Sequence, residues 1–393
     1  MTLNIRKLLF PLMLSVCVLS PFGNDIYIPS LPDIGVALSS HNTQLVLTTF
    51  LFGLAVAQLF YGPLSDRFGR KPVLMVGLAI FTLASVVVFT ANSMTVLLWG
   101  RFFQAVGTCS TIVSALAIVR DVYSEEEVIK ATGWVMAIIG VCPALAPIIG
   151  GALLAEWGWR ASFAFLLFLG VFYLLLIGFC FKETQQKKNL EALQWRKVLG
   201  NYKTLLSHGL YRRYVTVSAC AYAILFAYIS MAPYILMQHF GFGLVGFSIV
   251  FSVTAFGILS TSFIAPRLSL RMGLPWVTML GVLLFTVGSL LIFFLATFST
   301  HSATSIIALN ILCVFGMGII RPTASAGAMS IFPKTISGSA AAMFGFMSFT
   351  GGALSTFTMN ALPHTILMFG LLTSVIALLG LYSAVGVYRY RSQ

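Results

Sequence analysis

Apolar stretches of about the 20 residues that a helix needs to cross a bilayer recur along this chain of 393 residues. They divide best into twelve, at roughly 8–30, 42–64, 72–92, 95–119, 132–155 and 161–181, then 214–238, 244–266, 275–297, 303–325, 336–360 and 364–388. Backbone polar groups find no water in lipid, so runs of this length fold as helices. Composition agrees: 59% of residues are hydrophobic and 8% charged, against about a quarter charged in a soluble domain. The expectation is an all-α polytopic membrane protein with the lipid bilayer as its solvent.

The net charge of +13 would suit nucleic acid, but its placement says topology. Arg6 and Lys7 precede span 1, Arg67, Arg70 and Lys71 follow span 2, and Arg120 and Lys130 follow span 4. Lys182, Lys187, Lys188, Arg196, Lys197, Lys203, Arg212 and Arg213 crowd the connection between spans 6 and 7. Arg267, Arg271, Arg321, Lys334, Arg389 and Arg391 continue the alternation, and only Arg101 and Arg160 fall toward the other side. Positive residues stay on the cytoplasmic side, so both termini are expected there and no nucleic-acid partner is expected.

Arg6-Lys7 before an apolar run resembles a secretory leader, but no small-x-small cleavage site follows, and the run reads as an uncleaved span 1. Cys17, Cys109, Cys142, Cys180, Cys220 and Cys313 all lie in spans without a C-x-x-C pair, so packing is expected rather than disulfides or a metal. His41, His208, His239, His301 and His364 sit in loops or at span ends. No H-E-x-x-H and no Gly-Lys pair occurs, which removes a zinc protease and a Walker A loop. No cofactor is expected, and an enzyme would need a convergence of polar groups that these spans lack.

The one long polar segment, 183–213, separates six spans from six, giving 1–182 and 214–393 as two bundles. Within it Leu190, Leu193, Trp195, Val198, Leu199, Tyr202, Leu205 and Leu206 have helical spacing, which predicts an amphipathic helix on the inner surface. Two six-span halves with nested repeats form an architecture that places a substrate near the bilayer midplane. After span 8, Ala265-Pro266-Arg267-Leu268 and Arg271-Met272-Gly273 weakly repeat the stretch Gly62 to Pro72, without its acid. No Asp or Glu occurs after Glu191.

Asp25 is the one carboxylate well inside a span, where a charge is costly and faces the bundle interior. It is the leading proton carrier; the alternative is a residue that contacts outer water or caps a break near Pro21 and Pro29. Asp33 reads as solvated. Arg101, about two turns into span 4, needs an acceptor, and a carboxylate on span 1 would suit it; the alternative is snorkelling to outer headgroups. Gln104 lies one turn on and serves either that space or a helix contact. Pro143, then Ala146-Pro147-Ile148-Ile149-Gly150-Gly151, combine close approach with a freed carbonyl. Gly316, Gly318, Pro322 and 338–342 are possible counterparts.

Gly62-Pro63-Leu64-Ser65-Asp66-Arg67-Phe68-Gly69-Arg70-Lys71-Pro72 reads as a tight charged hinge between spans 2 and 3. Its glycines allow the turn, and Asp66 can accept from an arginine or a helix N-terminus. With Arg120 and Asp121 it would lock one state of a rocking motion; the alternative is topology alone. Aromatics and methionines are plentiful, and Tyr27, Gln104, Tyr228 and Met347 are the candidate cavity lining, although packing is the commoner role for any one of them.

These residues resemble the major facilitator superfamily, and within it the Bcr/CflA (EmrD-like) drug:proton antiporters, over nearly the whole length. The resemblance rests on Gly62 to Lys71, on Asn24-Asp25-Ile26-Tyr27-Ile28-Pro29, on Arg101-Phe102-Phe103-Gln104-Ala105-Val106-Gly107, on Val119-Arg120-Asp121 and on 143–151. Trp157-Gly158-Trp159-Arg160, Phe163 and Glu183-Thr184 fit further landmarks. It implies a twelve-helix fold of two pseudo-symmetric six-helix bundles. It also implies a monomeric exporter of small amphipathic molecules, driven by protons across a bacterial inner membrane. Asp25 and Arg101 would couple the proton, Gly62, Asp66, Arg67, Gly69, Arg70, Lys71, Arg120 and Asp121 would form the conformational motif, and Pro143, Pro147, Gly150 and Gly151 the antiporter motif. Ala146 stands where the family often has glycine, and Cys17 lies where some relatives carry a second acid. A dedicated transporter of one metabolite, such as a siderophore or peptide, is the alternative.

Overall fold

The computed structural model describes residues 3–185, 193–298, 302–333 and 336–390. Lys187, Lys188, Leu190, His301, Lys334 and Arg391 lie outside the described residues. Among the described residues, twelve helices are long and apolar enough to span a membrane: Phe10–Ala37, Leu45–Phe68, Arg70–Phe89, Met94–Val122, Ala131–Trp157 and Arg160–Cys180 in the first half. Gly209–His239, Leu244–Met272, Leu274–Thr297, Ala303–Met329, Gly338–Ala361 and Ile366–Tyr390 follow in the second. They are spans 1 to 12 below. Phe168, Phe179, Phe256, Leu270 and Tyr382 point outward and fully or largely exposed, the apolar belt that lipid requires.

Packing follows one rule in both halves. Span 3 lies on spans 4 and 6, and span 9 on spans 10 and 12; span 2 lies on span 4, and span 8 on span 10. Across the halves span 2 meets span 11 and span 8 meets span 5. Each contact maps onto its counterpart by a shift of six spans, a pseudo-two-fold relation in which the halves share two matched seams.

Prolines break span 1. Helix runs from Leu3 to Val16 and again from Leu19 to Asp25, then turns tighter over Ile28–Ser30 and resumes over Leu31–Ala37. Pro21, Pro29 and Pro32 cannot donate to the carbonyls of Cys17, Asp25 and Ile28 four residues before them. Pro233 opens the C-terminal end of span 7 into a wider helix, Pro233–His239.

The stretch 62–72 is less of a loop than its sequence suggests. Span 2 stays helical through Gly62, Pro63, Asp66 and Arg67 to Phe68, and span 3 begins at Arg70. The whole reversal falls on Gly69, at φ 108°, a backbone conformation natural only to glycine. The polar segment does carry a helix, Trp195–Ser207, here the linker helix, with Val198, Tyr202 and Leu205 buried.

Candidate functional site

Asp25 ends the second helical piece of span 1 and is almost fully buried. Its carboxylate accepts from Asn24 Nδ2. The break beside it is held by span 5: a Cβ on Gly150 would stand 1.7 Å from the Ile26 carbonyl oxygen. Ser162 Oγ donates to the same oxygen at 3.5 Å. The stretch 143–151 therefore presses glycine backbone against the unwound turn that carries the acid. Gly151 instead faces Ser248 of span 8, and Ser248 and Ser252 donate to the carbonyls of Pro147 and Ala144.

Arg101 is wholly buried, which removes the snorkelling alternative. Its guanidinium lies 4.3 Å from the ring of Tyr27, 4.1 Å from Phe50 and 5.9 Å from Phe163, an aromatic cage that favours a planar cation. One Nη donates to Gln104 Oε1 at 2.9 Å, and Gln104 Nε2 donates on to Ser85 Oγ at 2.8 Å. Nε and the other Nη make no bond of full hydrogen-bond geometry, with the Tyr27 hydroxyl beside the guanidinium. The sequence leads to an Asp25–Arg101 contact. Here the two are near neighbours without an ion pair: aromatic rings surround the guanidinium, and Asn24 bonds the carboxylate.

Tyr27 and Gln104 belong to this cage inside the first bundle. Tyr228 lies in the second, stacked on Phe251 and 3.3 Å from Thr254 Oγ1, beside a void of about 10 Å³ that Asn310 also lines. Met347 is half-buried on span 11. The structure brings the first two together and keeps the other two apart from them.

The charged motif gathers around Arg70. Its guanidinium pairs with Asp66 at 2.7 Å and Asp121 at 2.8 Å and donates to Ser65 Oγ at 3.0 Å. Lys71 Nζ caps span 6 through the carbonyls of Gly178 and Phe181. Arg67 lies over Phe68. Arg120 turns outward to the Leu116 carbonyl, so Asp121 alone of that pair joins the network. Glu183 was legible as a landmark but not as a cap: its carboxylate accepts from the backbone N–H of Arg70 and Lys71 at 3.0 and 3.1 Å, the N-terminus of span 3.

At the face away from the termini the halves are stitched by polar groups that sequence reasoning passed over. Thr43 bonds Tyr234, Gln44 Nε2 donates to His364 Nε2 at 2.9 Å, Thr48 Oγ1 donates to Thr356 Oγ1 at 2.8 Å, and Asn360 Nδ2 donates to Asn42 Oδ1 at 3.0 Å. A cleft of about 500 Å³ borders this closure, with His41, Tyr234, Gln238 and His364 on its wall. Further down, Gly352 faces Leu51 and Gly345 faces Gln58 across the seam of spans 2 and 11, and Gly140 faces Leu259 across that of spans 5 and 8. Near the terminal face Cβ atoms on Gly62, Gly133 and Gly338 would meet nothing within 4 Å. The polar closure lies on the face away from the termini.

A family model for the Major Facilitator Superfamily matches residues 13–356. A chloramphenicol resistance protein of Pseudomonas aeruginosa is 31% identical over 365 residues, covering 90% of this chain and 86% of the relative. Multidrug resistance protein D of Escherichia coli K12 is 31% identical, covering 91% and 90%. Among solved structures, a D-xylose-proton symporter aligns over 96% of this chain and 97% of its own, with a TM-score of 0.75 at 15% identity, a likeness of fold. With the motif residues in place around Arg70, Arg101 and Gly150, the chain belongs to the major facilitator superfamily, in its Bcr/CflA (EmrD-like) branch.

Proposed function

We propose that the protein is a proton-coupled secondary transporter that exports amphipathic small molecules across the bacterial inner membrane by alternating access. The observation that carries this reading is Asp25: a buried acid at a proline-made break, bonded to one amide, beside an arginine with unused donors. Proton binding removes the charge. Proton loss leaves a carboxylate that draws on the Arg101 donors and pulls the broken span toward span 4. Such a change alters the packing of Gly150 on Ile26, the contact through which span 5 and then span 8 would feel it. The names of the two relatives support amphipathic drugs, chloramphenicol among them, as cargo. A membrane potential contributes about 2.3 kcal/mol per charge per 100 mV, enough to drive exchange without ATP.

In this reading the termini face the cytoplasm, 1–182 and 214–393 rock as a pair, one chain suffices, and the terminal side is the loading side. Everted vesicles bearing the protein should lose an imposed ΔpH when chloramphenicol or a lipophilic cation is added. Vesicles with Asp25→Asn should keep it. An equal response in the mutant would remove Asp25 from coupling, and a response to one metabolite alone would turn the reading to a dedicated transporter.

A further inference from the structure

The linker helix is more than a tether. It packs on spans 7 and 11 of the second half through buried Val198, Tyr202 and Leu205, and Asn201 reaches Ser339 at the start of span 11. Yet the Tyr202 hydroxyl donates across to the first half, to the carbonyl of Leu59 on span 2 at 3.1 Å. In an α-helix the Leu59 carbonyl would accept from the amide four residues on, and that residue is Pro63, which has no N–H. Pro63 leaves an acceptor exposed on span 2, and the linker helix fills it.

The position matters. Gln58 against Gly345 is a tight contact between spans 2 and 11, and toward the terminal face a Cβ on Gly62 or Gly338 would meet nothing within 4 Å. Tyr202 thus sits between the last tight contact of the seam and these unfilled positions. Closing this side requires the terminal ends of spans 2 and 11 to approach, into the place the tyrosine holds. We infer that Tyr202 is a latch for the terminus-open state: its hydroxyl, bonded to the carbonyl freed by Pro63, stabilises the arrangement in which the linker helix lies between spans 2 and 11 on that face, and transport requires the bond to break and re-form in each cycle. Tyr202 is a positioning residue; it needs no contact with cargo or proton.

A neutral hydrogen bond is worth about a fivefold change in a two-state equilibrium. The test needs no substrate, so it succeeds or fails independently of the export reading. Spin labels are placed at Val36→Cys and Val245→Cys, both exposed at the closed face, in a Cys180→Ser background, because Cys180 is the exposed native thiol among the described residues. In the full-length protein in nanodiscs, Tyr202→Phe keeps the ring and should raise the fraction of long label–label distances, open on that face, about fivefold. Pro63→Ala restores an amide that competes for Leu59 and should shift the same way. With both changes the shift should be no larger than with Tyr202→Phe alone. An unchanged distance distribution in Tyr202→Phe, or shifts that add in the double variant, would overturn the latch.

Discussion

At residue scale the tightest constraint is on Gly150. A methyl group there has no free direction, because backbone rather than a movable side chain stands 1.7 Å from its ideal position. Gly150→Ala must push span 5 off the Asp25 turn, an overpacking of about 1–3 kcal/mol. Gly151→Ala, whose methyl would lie 3.4 Å from Ser248 Oγ, needs only a small adjustment. The expected outcome is a lower thermal midpoint in detergent and loss of drug-dependent proton movement for the first, with the second close to wild type. The sequence made these two glycines look alike; their neighbours, more than a hundred positions away for Ile26 and nearly a hundred for Ser248, separate them. Arg101 was legible as a buried cation, since charge in an apolar run stands out, but its cage was not: Tyr27, Phe50 and Phe163 come from three spans and carry no pattern among so many aromatics.

At the scale of elements, lipid made the twelve spans legible by fixing their length, whereas their ends were read less well. Asp66 and Arg67 look like loop residues and are helical, with the Asp66 carboxylate paired to Arg70 and Arg67 lying over Phe68. Glu183, a cap supplied 113 positions from Arg70, left no local trace. His364, between spans 11 and 12, gives the closed face a titratable element. Partial desolvation, and after it the nearby His41, hold its imidazole below the usual range. Tyr234 lies tilted against it, ring centroids 4.7 Å apart, and Gln44 Nε2 donates to its Nε2, which only the neutral ring can accept. The closed face therefore binds fewer protons than the open one, so its stability is fully present above about pH 6.5 and is lost as pH falls below that value. Distances between labels at Val36→Cys and Val245→Cys should lengthen on acidification from neutral pH, and His364→Gln should flatten that response.

At the scale of the whole molecule, the six-span shift that maps seam onto seam is a property of packing alone. Chemistry is unevenly divided: after Glu191 the chain has no acid, so the second half answers the first through shape and neutral hydrogen bonds. Rocking must break the stitching of Thr48 to Thr356 and Asn42 to Asn360. A disulfide between Asn42→Cys and Asn360→Cys should abolish transport, and a reductant should restore it. That the chain forms two six-span halves was legible from the spacing of the spans and the polar segment between them. Which face the polar bonds close was not, because scattered threonines and asparagines in apolar helices form no periodic signal.

The contrast between the two faces has a consequence for the environment the cell meets. Above the imidazole range, every bond described across the closed face joins uncharged groups, while the terminal face carries the Arg70 network. Mobile ions screen charges and leave hydroxyl and amide pairs almost untouched. The face turned away from the termini is the one that, in the export reading, meets an unbuffered exterior of fluctuating salinity. Its opening should proceed at nearly the same rate in dilute and in salty medium.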